Sequence, residues 1–348
     1  MAAAGVAAAV ISGLANGSWN LPTKKDAPNV VCAVRGDWQW ENIWFASNLM
    51  MPVVNTAVVC GVVGPSTLRD IYAVARPSEV LSIVGFSILW GFGGVGFGQA
   101  IKRVGIALGT SVVMGIIVVI GTALPAVMEA SRLSATQSAG AAAGVILGIL
   151  GFSMGSKAAS LKEKAVGSEA NAGVASLAEV RVGVALNAKA EAPADLLSGA
   201  KGDRDTSGAE GSGRRSFVES ILWCLMGGVM SSMLQFAFVF GGNLVDIAKD
   251  NGVPKEAAAM PIWLLCFIFN AIGHLLYSSY LLRTNGTWRA FSTTPLRDSA
   301  HSTCLSFLMA VGLPFHIHLY GVGAVLMGDT GAVFAWPVRD PLLTHSIV

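Results

Sequence analysis

Eight stretches of this chain run for 18–26 residues without one Asp, Glu, Lys or Arg. They are roughly Ala2–Leu21, Ile43–Gly64, Val80–Ile101, Val104–Met128, Ala139–Ser156, Ile221–Gly242, Ala257–Leu282 and Cys304–Met327. A helix needs about 20 apolar residues to cross a bilayer. A charge at its centre costs about 2.5–3.5 kcal/mol on the insertion scale. The pattern predicts an all-α fold, a polytopic transmembrane helix bundle whose first partner is the lipid bilayer. Composition agrees: only 13% of residues are charged, against about a quarter in soluble domains.

Residues 157–216 break the pattern. They hold 9 Lys/Arg and 8 Asp/Glu among Ala, Gly and Ser, too little apolar surface to offset the entropy of ordering. A disordered cytoplasmic linker is predicted there, with a short helical start at Lys157–Lys164. The expected organisation is a first membrane half of five helices at 1–156, the linker at 157–216, a second half of three helices at 217–328, and a tail at 329–348. Loops after the odd-numbered spans carry 17 Lys/Arg and those after the second, fourth and sixth carry 5. Cytoplasmic loops are the ones enriched in Lys and Arg, so the N-terminus is predicted outside.

Several function classes lack support. A net charge of +2 gives no bulk attraction for nucleic acid. The five cysteines, at 32, 60, 224, 266 and 304, form no Cys-x-x-Cys or Cys/His metal spacing. No Ser-His-Asp set, carboxylate pair or metal triad falls inside the spans, so neither an enzyme nor a cofactor is expected. The run GFGGVG at 91–96 matches the dinucleotide loop literally, yet that loop needs an acid about 20 residues on. The next one here is Glu129, and the run lies within an apolar span. Its glycines, with Gly94/Gly98 and Gly105/Gly109 at small-xxx-small spacing, read instead either as static helix-packing positions or as the seam of a helix pair that rocks in a transporter.

Intramembrane polar groups are the default site candidates. Here they are amides, hydroxyls and tryptophans without formal charge: Asn16, Ser18, Trp19, Asn20, Asn48, Asn55, Trp90, Gln99, Gln235, Asn243, Asn270, Tyr277 and Tyr320. Each alone reads as a helix-bridging hydrogen bond. Together they suit a neutral polyhydroxylated ligand, with Trp stacking on a sugar face. The histidines at 274, 316 and 318 are the only groups in the spans that can exchange a proton near neutral pH. His274 and His316, near mid-span, are the proton-coupling candidates.

The run Gly13-Leu-Ala-Asn-Gly-Ser-Trp-Asn-Leu-Pro-Thr-Lys-Lys25, followed by Trp38-Gln-Trp-Glu-Asn-Ile-Trp44, resembles the start of the L-rhamnose–proton symporter family of the drug/metabolite transporter superfamily. Trp90-Gly91 through Pro125, and Tyr320-x-x-Gly323 with Gly328-x-x-Gly331 and Trp336-Pro337, are similar to further family stretches. The resemblance implies two inverted five-helix repeats with a midplane site between them. It implies a plasma-membrane carrier moving L-rhamnose, or a similar sugar, with protons. Substrate-binding residues would be Trp19, Asn20, Trp90, Gln235, Asn270 and Tyr320. Two departures stand out. The sequence shows two spans fewer than the family, so the second repeat is expected to be incomplete, through truncation at the C-terminal end. His274 and His316 stand where the family carries amides. The rival expectations are a carrier of another small polar metabolite and a truncated, non-transporting membrane protein.

Overall fold

A computed structural model describes residues 2–16, 36–104, 106–128 and 209–328, with isolated positions between 139 and 161 and at 331, 333 and 335. The described residues are helical, with no strand among them. The elements are α1 (Ala2–Asn16), α2 (Trp40–Val63), α3 (Pro65–Val74), α4 (Pro77–Val104), α5 (Ile106–Met128), α6 (Ala209–Ser231), α7 (Met233–Phe240), α8 (Gly242–Asp250), α9 (Met260–Thr284), α10 (Ala290–Thr293) and α11 (Leu296–Leu326). Among the described residues, five helical stretches are long and apolar enough to cross a membrane: Trp40–Val63, Pro77–Val104, Val218–Asp250, Lys255–Thr284 and Leu296–Leu326. The protein is an integral, multi-pass membrane protein.

Helix ends follow local chemistry. The side chains of Gln39 and Asn42 close a capping box at the start of α2. Gly64, at φ 88°, ends α2 in a region that favours glycine, and Pro65 opens α3 at its first position. Helix α3 is amphipathic: Leu68 and Ile71 are buried, whereas Arg69 and Asp70 are exposed. Helix α8 repeats this with Leu244, Val245 and Ala248 inside and Asp246 outside. The two short helices touch one another.

Contacts fix the helix directions. Gly5 of α1 meets Gly323 of α11, while Ser12 Oγ donates to the His316 carbonyl at 2.6 Å, so this pair is antiparallel. Gly93 of α4 lies against Ser231 of α6 and Gly96 against Gly227, another antiparallel pair. Gly91 and Gly94 of α4 meet Asn270 and His274 of α9, which makes those two parallel. Trp44 of α2 bonds His274, and Asn55 bonds Trp263, so α2 runs against α9.

Both ends of the α2–α9 pair are tied. At one end the Glu41 carboxylate accepts from Asn285 Nδ2 and Thr287 Oγ1, both at 2.9 Å. At the other, Tyr72 of α3 donates to the Pro261 carbonyl at 2.7 Å, and burial holds its hydroxyl above a tyrosine's ordinary pKa.

Two described features fall within residues 157–216. Helix α6 begins at Ala209, eight residues inside the stretch expected to be linker. The stretch apolar enough to cross a membrane begins later, at Val218. Lys157 and Leu161, in the predicted short helix, are helical. The remainder of the linker, most of the fifth span, and nearly all of 329–348 lie outside the described residues.

Candidate functional site

Helix α9 is the spine of the polar interior. Trp263, Phe267, Asn270 and His274 follow one another at intervals of four, three and four residues, which sets them on one helix face. All four are buried. The neighbouring helices supply partners to that stripe in two groups.

The first group joins α7, α9 and α11. The Tyr320 hydroxyl donates to the amide oxygen of Gln235, both residues having no exposed surface. Phe238 stacks on Trp263 with ring centroids 5.3 Å apart and planes 8° from parallel. Tyr320 meets Phe238 edge-on at 5.6 Å. The second group joins α2, α4 and α9. Trp90 packs edge-on against Phe267 at 5.6 Å. The Trp44 indole donates to His274 Nδ1 at 3.1 Å, with the rings 5.3 Å apart.

Asn270 sits between the groups, and neither its Nδ2 nor its Oδ1 has a hydrogen-bond partner among the described residues. A buried polar group left unpaired costs about 1–3 kcal/mol. Such orphans in a folded protein call for a water or a ligand.

The structure therefore brings Gln235 and Tyr320 into direct contact and sets Trp90 beside the face that carries Asn270 and His274. His316 is fully buried on α11, where its backbone carbonyl accepts from Ser12. Trp19 and Asn20 lie outside the described residues. Asn243 is on exposed α8, bonded to Glu79 at 3.1 Å, and takes no part in the interior. Sequence reading missed Trp44, Phe238, Trp263 and Phe267. Their four-three-four spacing with Asn270 and His274 was the available signal for two of them, but within an apolar run it looks like ordinary lipid-facing bulk.

The interior is aromatic and amide-rich, without a formal charge on the central turns. Such an interior can stack on an apolar ring face and exchange hydrogen bonds with neutral hydroxyl groups. Among the described residues no three His, Cys, Asp or Glu side chains gather as a metal site.

Comparison with known proteins follows the same line. A family model described as L-rhamnose-proton symport protein (RhaT) matches residues 30–281. The chain is similar to the L-rhamnose-proton symporter of Mannheimia succiniciproducens, 24% identical over 134 residues, 38% of this chain and 39% of that protein. It is similar to the same-named protein of Klebsiella pneumoniae, 25% identical over 139 residues, and of Escherichia coli, 21% over 136, with the same shares covered. The chain thus spans about two fifths of the length of the curated relatives it matches. No solved structure matches it.

Proposed function

The chain belongs to the family of L-rhamnose-proton symport proteins, and from that premise we propose that it is a secondary carrier that moves L-rhamnose, or a closely similar sugar, together with protons. The orphaned amide of Asn270 carries this reading. It lies near the middle of α9, one turn from Phe267, on which Trp90 packs, and on the face that leads through Trp263 to the Gln235–Tyr320 pair, where a neutral sugar would satisfy it. Trp19 and Asn20 complete the proposed binding set. A histidine of α9 or α11 takes the proton, and His274 and His316 lie nearest mid-span. One proton moved down 100 mV supplies about 2.3 kcal/mol, roughly 50-fold accumulation of a neutral solute.

Two inverted repeats within the drug/metabolite transporter superfamily fit this reading. Exchanging α1 with α6, α2 with α9 and α4 with α11 turns the four long-helix pairs whose directions were given above into packed pairs, α4–α9 becoming α2–α11. Antiparallel α1–α11 becomes antiparallel α4–α6, and α2–α9 maps onto itself. The halves are 1–156 and 217–328, joined by 157–216 on the cytoplasmic side of the plasma membrane, with the N-terminus outside. In an otherwise cysteine-free background, Lys162→Cys is expected to react with an impermeant reagent only from the cytoplasmic side and Pro65→Cys only from outside. Reaction from one common side sinks this orientation.

The transport reading is tested in vesicles holding the full chain. An inwardly directed proton gradient is expected to drive accumulation of labelled L-rhamnose. Asn270→Ala is expected to raise KM about fivefold, since one hydrogen bond to a neutral group is worth about 1 kcal/mol. If Asn270 were purely structural, removing a buried orphan amide would leave KM unchanged and stabilise the protein. No uptake by the wild type across pH 5.5–8 defeats the rhamnose carrier.

A further inference from the structure

The junction of α2, α9 and α11 holds a histidine in a fixed tautomer. Asn55 of α2 is fully buried, and its Nδ2 donates to the Trp263 carbonyl at 3.2 Å. A backbone carbonyl only accepts, so the atom that Asn55 turns to His318 is Oδ1. That oxygen also only accepts, so His318 Nε2, 2.8 Å away, bears the hydrogen. The basic lone pair of neutral His318 is therefore on Nδ1. This atom is buried and has no partner among the described residues. A second orphan stands at the same junction. The Nε1–H of Trp263 is unpartnered and lies against Gly321, three residues along α11 from His318. One buried acceptor and one buried donor wait where a hydroxyl, which both gives and accepts, would serve each.

We propose that His318, rather than His274 or His316, carries the coupling proton, and that its charged Nδ1–H donates to a hydroxyl of the bound sugar. The proposal rests on the carrier reading above. The step is a plain protonation: a proton from solution forms a bond to the Nδ1 lone pair, neutral imidazole becomes imidazolium, and no other bond changes. The bond from Nε2 to Asn55 persists and gains strength from the charge. A charged imidazole with an unpaired N–H inside the membrane is costly. A sugar hydroxyl removes that cost, so each ligand raises the other's affinity by the same factor. His274 is less suited, because its Nδ1 already accepts from Trp44.

The surroundings leave His318 little competition. Helix α1 bears no titratable side chain, and α2 brings only Glu41, tied at its far end, and Cys60. From α9 come Cys266, His274, and the Tyr277–Arg283 end. The turn at Lys255–Ala257, which packs on α11, adds Lys255 and Glu256, both exposed. On α11 itself the nearest are His316 and Tyr320.

The test uses the full-length protein in nanodiscs. Nitrogen-15 NMR of labelled histidines, assigned with His318→Gln, is expected to show the Nε2–H form at high pH. L-rhamnose is expected to raise the titration midpoint of His318 by about one pH unit or more. Rhamnose binding, followed by tryptophan fluorescence, is expected to weaken in the wild type as pH rises from the midpoint of the free protein to that of the sugar-bound protein, about tenfold per unit of that shift, and to be flat in His318→Gln. Should His318→Gln not fold, Asn55→Asp places a carboxylate on the ring, and the midpoint is expected to rise. An Nδ1–H tautomer, no titration of His318 between pH 5 and 8.5, or an unmoved midpoint in Asn55→Asp overturns the proposal. So does a pH slope kept by His318→Gln or abolished instead by His274→Asn or His316→Gln. A wild type that fails to bind rhamnose yet titrates at His318 in the Nε2–H form defeats the sugar and leaves the proton site standing.

Discussion

Replacing Gly91 by leucine is expected to abolish recovery of folded protein, while the same change at Gly98, seven residues along the same helix, leaves it intact. A Cβ on Gly91 would overlap the backbone carbonyl of Asn270 on α9. The reciprocal contact is as tight: a Cβ on Gly273 would stand 2.7 Å from the Gly91 carbonyl carbon. Backbone against backbone cannot be relieved by a rotamer change. The helices must separate, losing the packing that holds membrane helices together where no hydrophobic force does. Milder core overpacking costs about 1–3 kcal/mol, so the loss at Gly91 should exceed about 3 kcal/mol. At Gly98 no described residue lies within 4 Å of where a Cβ would stand. The monodisperse fraction on size exclusion, and its melting, report the contrast. Equal behaviour of the two variants would mean that α4 and α9 do not pack as described.

Glu41→Ala is expected to release one end of the α2–α9 pair. The carboxylate is 6% exposed and holds two donors from the segment that follows α9. Hydrogen bonds to a charged group contribute about 1.5–3 kcal/mol each, so the alanine variant should lose about 3 kcal/mol or more and Glu41→Gln, which keeps an acceptor oxygen, roughly half. Asn285 and Thr287 lie between Arg283 and Arg289. Limited trypsin treatment should therefore cut at those arginines at least about tenfold faster in Glu41→Ala. Unchanged cleavage would show that the segment is held by other contacts, such as Asn42 Nδ2 on the Thr287 carbonyl at 2.9 Å.

The spans are legible because the bilayer imposes a length and a charge rule that each segment obeys alone. The charge-free run Ile43–Gly64 lies within α2 and its cap, Trp40–Val63 and Gly64; the run Val80–Ile101 lies within α4, Pro77–Val104. The error is at the ends, where charged residues such as Glu79 and Arg103 continue the helix beyond the apolar run. Helices α3 and α8 are not legible, since nine or ten residues of mixed polarity carry no span signal. The site is half legible. Polar residues within apolar runs announce themselves, and Gln235 and Tyr320 do meet. Which glycine has a neighbour cannot be read: a Cβ on Gly94 would meet His274 and one on Gly98 would meet no described residue, though both fit the same spacing. That distinction depends on α9, far away in sequence, as does the pairing of Asn55 with His318.

The partners of α4 have a consequence for how the protein is made. Its glycine face is filled by α6 and α9, and α9 begins at Met260, more than 150 residues after α4 ends at Val104. Chains are synthesised at about 5–20 residues per second, so that face stays without its protein partner for on the order of ten seconds or more after insertion. Lipid tails, which are too mobile to fill a backbone groove closely, occupy it meanwhile. Nascent α4 is thus a helix with a vacant docking surface in a crowded membrane, open to the wrong small-residue helix. The vulnerable interval in the life of this protein falls during its synthesis, before the second half has emerged to close the groove.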